Sequence, residues 1–264
     1  MSLLSIAAEK PNIAPDIIFN IGNFVVSNTM TMVWLITILI IILCIYTKNK
    51  LKLKPNKFQN TIEILYEGME NLINQITGNK KYTLVLYPLI ATLFIFIVLS
   101  NLLSTFIPFL TSFTYNNLPL FRTATSDFNT PLILALTMII YVQYISIKQW
   151  GLLKHIGKYI QIKELYKSFK DGIGSGFMGI INFLIGLLDI VTEFARVVSL
   201  SIRLFGNMFA GEMLAVIILG FLAYGLPAVW MAMGLLVGLI QAIVFGSLTA
   251  AYYMLAIGNV EENN

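Results

Sequence analysis

The chain has 264 residues, of which 58% are hydrophobic and only 11% charged, with a net charge of +4. A soluble domain is about 45–50% apolar and about 25% charged, so this composition excludes an ordinary soluble core and indicates a polytopic membrane protein. A single cysteine, Cys44, and a single histidine, His155, exclude a disulfide framework and a multi-histidine metal site.

In chain order, residues 1–27 are mixed, contain Pro11 and Pro15, and read as an exposed outer arm. Residues 28–46 form a first transmembrane helix. "TKNKLKLKPNK" (47–57) then places five lysines within ten residues. Over 58–79 the apolar positions Phe58, Ile62, Leu65, Met69, Leu72 and Ile76 recur every three or four residues, with Glu63, Glu67 and Glu70 elsewhere. That spacing predicts an amphipathic helix lying at the membrane interface.

A second span covers 82–110, with Pro88 near its start and Pro108 near its end, and a polar loop follows over 111–130. The third span is 131–147, opened by Pro131, which suits a first helical turn. Residues 148–171 carry six more lysines. A continuous apolar helix is then expected over 176–224, about 70 Å long at 1.5 Å per residue, more than twice a 30 Å hydrocarbon core. "YGLP" (224–227) makes a turn, and 228–257 forms the last long helix. "GIGSGFMG" (172–179) superficially evokes a phosphate loop but follows a lysine-rich segment rather than a strand, so it reads as an entry to the long helix.

The fold expected is therefore an all-α polytopic membrane domain: about five transmembrane helices, one interfacial helix, and a last pair of helices that are long and steeply tilted. With Lys80 and Lys81, the two lysine-rich segments hold 13 of the 17 basic residues. They fall on one side of the membrane, which the positive-inside rule makes the cytoplasmic one. The amino terminus and Asp127 then lie outside.

The long helix carries charge where charge is costly. At about 100° per residue, Asp189, Glu193, Arg196, Arg203 and Asn207 share an arc of roughly 80° along about 27 Å of helix. Glu212 falls about 140° from Asp189 and points elsewhere. Gln241 is the one strongly polar side chain at membrane depth on the last helix. Each ionisable group inside a membrane costs about 2.5–3.5 kcal/mol and is by default a functional-site hypothesis. Asp189, Glu193 and Arg196, spaced by four and three, could simply pair with one another. Arg203 has no acid three or four residues away, so its partner must come from another helix or another chain. An arginine does not deprotonate on burial and so suits a fixed cation. The small residues Gly206, Ala210, Gly211, Gly234, Gly238 and Gly246 are expected to permit close helix approach.

At "EFARVVSLSIRLFGNMFAGE" (193–212) the chain closely resembles subunit a of F-type ATP synthases, especially bacterial ones. The resemblance continues through "LIQAIVFGSLTAAYY" (239–253), "TATSDFNTPLILAL" (123–136) and the amino-terminal segment. It implies a non-catalytic membrane stator subunit, without cofactor or metal, in a bacterial plasma membrane rather than a mitochondrial one. Its partners would be a ring of c subunits, the peripheral-stalk b subunits and other synthase subunits, with no nucleic acid. By resemblance Arg203 is the essential stator charge facing the ring, between two offset aqueous half-channels. Asn207, Glu212, Gln241 and Asp127 would belong to the outer half-channel, and Asp189, Glu193 and Arg196 to the inner one or to structural pairing. Two positions depart from the family pattern: Val197 stands where proline is usual, and Gly234 where some relatives place a histidine facing the outer glutamate. Two other classes fit the bare residues, a secondary transporter with Arg203 binding an anionic solute and a scaffold subunit whose charged stripe only pairs helices. No internal repeat of the transporter kind is present.

Overall fold

The computed structural model describes residues 15–22, 24–52, 54–105, 114–115, 118–152, 155, 157, 173–221 and 226–261. Residues 1–14 of the outer arm, 106–110 of the second expected span, the lysine-rich stretch 158–171 and the 222–225 turn lie outside the described residues. Six α-helices make up the bulk of what is described, so the architecture is all-α, with two short β-hairpins at one end.

The first hairpin pairs β1 (Ile17–Ile21) with β2 (Phe24–Ser27), antiparallel, and turns at Gly22, whose φ of 62° favours glycine. The hairpin replaces part of the expected exposed arm, and strands of five and four residues are too short to show a period in the sequence. Ser27 ends the hairpin and caps α1 (Asn28–Lys50): its hydroxyl accepts from the Met30 amide at 3.4 Å. The Asn28 amide donates to the Asp16 carbonyl at 3.1 Å, tying hairpin to helix.

Helix α2 (Lys57–Thr77) ends at Gly78, in the left-handed conformation, whose N–H returns to the Asn74 carbonyl at 2.9 Å. Asn79 then opens α3 (Lys80–Thr105) by accepting from the Lys81 amide through its side chain at 2.9 Å. Only the carboxyl-terminal half of α2 is packed, with Ile73 and Thr77 buried against the bundle.

After a small hairpin, β3 (Thr114–Tyr115) with β4 (Leu118–Pro119), one 3-10 turn (Ala124–Ser126) leads into α4 (Asn129–Trp150). Asp127 joins these parts. One carboxylate oxygen accepts from the Asn129 amide and side chain, each at 3.1 Å, and the other from the Thr29 hydroxyl at 3.0 Å.

The last two helices are α5 (Ile173–Phe221) and α6 (Leu226–Glu261). Helix α5 has 49 residues, about 73 Å at 1.5 Å per residue, and runs through Gly206-Asn207 without a turn. Four helical segments are by themselves long and apolar enough to cross a bilayer: Asn28–Lys50, Lys80–Ser104, Asn129–Gln149 and Val229–Ile257. Long sides of these helices remain apolar and exposed, as the lipid-facing surface of such a protein must be.

The core lies where α6 packs along α3 and α4 along α5. One cluster joins α2, α3, α4 and α6 around Ile73, Ile90, Ile145 and Tyr253. The next joins α3, α4, α5 and α6 around Ile97, Met138, Leu204 and Phe245. A third holds the outer part of α1 through Met32, Ile36 and Ala124. Between lipid-bathed helices apolar burial gives little drive, so close packing and interhelical hydrogen bonds must hold the bundle.

Gly238 and Gly246 supply that closeness on α6. A Cβ at Gly238 would stand 2.7 Å from the Asn101 side chain, and one at Gly246 would stand 2.9 Å from Ile90. The other expected contact glycines behave differently: a Cβ at Gly206, Gly211 or Gly234 would meet nothing within 4 Å. Helix spacing is therefore set by two glycines of α6, two turns apart, and the rest leave open space.

Candidate functional site

Leu200, Ser201 and Leu204 turn one side of α5 into the bundle, and the charged stripe runs along the border of that buried side. Three groupings lie along it.

Nearest the lysine-rich side, Arg196 approaches Glu193 at 3.9 Å across one helical turn, with both side chains mostly buried. The Arg196 guanidinium also lies 4.7 Å from the centre of the Tyr252 ring on α6. Gln143 of α4 donates its side-chain N–H to the Glu193 carboxylate. Three helices thus share one charged knot, with cation–π stacking added to ion pairing. Asp189, half-buried, forms no ion pair among the described residues.

Nearly two turns beyond the midpoint of α5, Arg203 is exposed and forms no ion pair among the described residues. Its neighbour Ile202 is likewise exposed, so this side of α5 faces away from the chain's own bundle. A permanent cation on an apolar surface needs an anionic partner.

Asn207, also exposed, donates from its side-chain nitrogen to the Gln241 carbonyl on α6 at 3.2 Å. The Gln241 side chain is buried, and its own nitrogen has no protein partner among the described residues. Leaving such a group dry costs about 1–3 kcal/mol, so a polar environment must serve it.

Beyond this pair a cavity of about 250 Å³ opens between α5 and α6, lined by Asn207, Glu212, Ser104, Trp230 and Gly234 among others. A cavity of roughly 10–15 Å³ by this measure holds one water, so this one is roomy enough for several. The Trp230 indole donates to the Gly211 carbonyl at 3.0 Å and bridges the two helices. Glu212 is largely buried, with one carboxylate oxygen unpartnered among the described residues. Thr123, Ser126 and Arg122, from the segment before α4, are its polar neighbours.

Of the residues expected from the sequence, Glu193 and Arg196 come together, Asn207 and Gln241 come together, and Asn207 and Glu212 line one cavity despite their different phases on α5. Asp127 stands apart from the cavity-lining residues and is hydrogen-bonded to the starts of α1 and α4. Gln143, Tyr252, Thr123 and Ser126 were not anticipated. Gln143 had a readable signal, an amide in the middle of an apolar span. The others had none, since a tyrosine or a loop threonine is unremarkable until the fold seats it beside a charge. Among the described residues no group of histidine, cysteine and carboxylate side chains could hold a metal ion.

The fold and this face define a class: a polytopic helical membrane protein whose longest helix carries a charged seam, with one exposed arginine facing outward. Residues 30–254 match the family described as ATP synthase A chain. The chain is 34% identical over 241 residues to ATP synthase subunit a of Desulforamulus reducens, covering 88% of this chain and 79% of that one. It is 32% identical over 243 residues to ATP synthase subunit a of Moorella thermoacetica, covering 91% and 95% respectively. It is 30% identical over 254 residues to ATP synthase subunit a 2 of a Picosynechococcus, covering 95% and 94%. The chain belongs to the ATP synthase A chain family.

Proposed function

We propose that this chain is the ion-translocating stator subunit in the membrane sector of an ATP synthase, non-catalytic itself, and that Arg203 is the fixed charge on which coupling depends. The single observation that carries this is the exposure of Arg203 on an apolar face without an acidic partner among the described residues. A ring of small subunits, each bringing one carboxylate in turn, supplies the missing anion. As a carboxylate arrives, the guanidinium stabilises its ionised form and so favours release of the bound proton. Because the cation does not deprotonate, it also repels protons passing directly from one side to the other.

The cavity bearing Glu212 and Asn207 is the outer access route, with Gln241 at its inner end near Arg203. Asp127 serves that route by fixing the segment that carries Thr123 and Ser126 to Glu212. The knot of Glu193, Arg196, Gln143 and Tyr252, with Asp189 beyond it, borders the inner route. Helix α5 at about 73 Å exceeds one upright crossing of a 30 Å core, so it lies steeply tilted along the ring as the fourth of five crossings. Peripheral-stalk b subunits complete the assembly, and the bacterial plasma membrane is its location.

The test is ATP-driven proton pumping in inverted vesicles with Arg203→Ala. Pumping is expected to vanish while the complex stays assembled. Retained pumping would sink the assignment.

A further inference from the structure

The stretch 48–57, from the last turn of α1 to the start of α2, has no part in the route above, yet it carries five lysines. Lys48, Lys50, Lys52, Lys54 and Lys57 are all exposed, and none forms an ion pair among the described residues. The linker is also held in shape. The Gln59 side chain accepts from the Lys52 amide and donates to the Lys52 carbonyl, each at 3.0 Å, and donates to Glu63 at 2.8 Å. The Tyr46 and Phe58 rings meet edge to face at 5.4 Å, closing the ends of the linker on each other. The Lys50 ammonium sits 5.6 Å from the Tyr46 ring centre.

Apolar surface flanks this basic loop on both sides. Helix α1 approaches it through exposed Ile42, Ile45 and Tyr46, and α2 leaves it with exposed Phe58 and Leu65. The loop therefore sits at the level where hydrocarbon gives way to headgroups. Five lysines fall within its ten residues.

We infer that the 48–57 loop, with the exposed amino-terminal half of α2, is a binding site for the phosphate headgroups of anionic phospholipids in the lysine-side leaflet. Each lysine near such a surface adds to the electrostatic attraction of the anionic leaflet. The exposed apolar side chains bed among the acyl chains of the same lipids. Glu63 accepts from Gln59 and Glu70 pairs with Lys80 at 3.8 Å, and neither forms an ion pair with these five lysines among the described residues.

The experiment uses the whole complex that assembles around this chain, placed in nanodiscs with a photoactivatable phosphatidylglycerol or with the matching phosphatidylcholine. Labelling of the 48–60 peptide is expected to be at least about tenfold stronger with the anionic lipid. The triple variant Lys50→Gln, Lys52→Gln, Lys54→Gln should abolish that preference, and the triple Lys→Arg variant should keep it. Equal labelling by both lipids would overturn the site. So would a preference that survives the glutamine variant in assembled complex, or protection of the loop by cross-linking to an acidic protein segment.

Discussion

Asn207 on α5 donates to Gln241 on α6 at 3.2 Å, a hydrogen bond from side chain to side chain between the two longest helices. It ties the residue one turn after Arg203 to the neighbouring helix. Gln241→Leu removes the acceptor and leaves the Asn207 amide to solvent at little cost, whereas Asn207→Leu leaves a buried glutamine carbonyl bare. The second should destabilise the assembled subunit by about 1–3 kcal/mol more than the first. Thermal dissociation of the two variants measures the difference. Equal midpoints would show that the bond does not form.

Arg203→Lys tests geometry at constant charge. A lysine offers a compact, strongly hydrated point charge on a flexible stem instead of a planar fork, and it can lose its proton when desolvated. Proton pumping is expected to fall almost as far as in Arg203→Ala. A variant that pumps normally would reduce the role of the side chain to charge alone.

Glu212 stands in the cavity between α5 and α6 with one oxygen unpartnered among the described residues. Glu212→Gln should slow pumping by about 100-fold or more with assembly intact, the low end of what a positioned acid–base group contributes. Gly234 offers the complementary test: a Cβ there meets nothing within 4 Å, so Gly234→Leu folds but fills the same space. Both variants should reduce flux measured in vesicles. Unchanged flux in both would remove this cavity from the proton route.

Gly238 faces the opposite condition. Its carbonyl accepts from the Asn101 side chain at 3.1 Å, and any Cβ would collide with that side chain. Gly238→Ala should cost about 1–3 kcal/mol by overpacking and lower the yield of assembled complex. Gly206→Ala, which meets open space within this chain, should leave subunit stability unchanged in the same assay.

The knot at Arg196 invites a double substitution cycle with Tyr252. Cation–π contact with the ring is worth about 0.5–2 kcal/mol depending on desolvation. Arg196→Gln and Tyr252→Leu should therefore be non-additive in stability by a similar amount. Strict additivity would mean that the ring and the guanidinium do not interact.

The helical layout was legible because each helix is announced by composition: a long apolar run, then lysines, proline or glycine. The polar seam of α5 was legible from phase alone, since a helix repeats every 3.6 residues whatever its neighbours. What helix phase cannot carry is the depth and shape of space between helices. Asn207 and Glu212 lie at different angles on α5, yet one cavity reaches both because Gly211 and Gly234 withhold side chains from it. The contact glycines show the same limit. Six small residues look alike in the sequence, and only the partner's position separates Gly238 and Gly246 from the others. Asp127 is a third case: its carboxylate is committed to Thr29, ninety-eight positions away in the chain.

That clasp also says something about α1. The first helix is held at its outer end, by the hairpin, by Asp127 and by the cluster around Met32, Ile36 and Ala124. Its inner half, from Ile41 to Tyr46, presents its large side chains outward. The outer third of α1 therefore carries the address that places it in the bundle, while the inner half carries only a length. Shuffling the apolar residues of that inner half should leave the helix in place, whereas a single change at Thr29 or Met32 would release it.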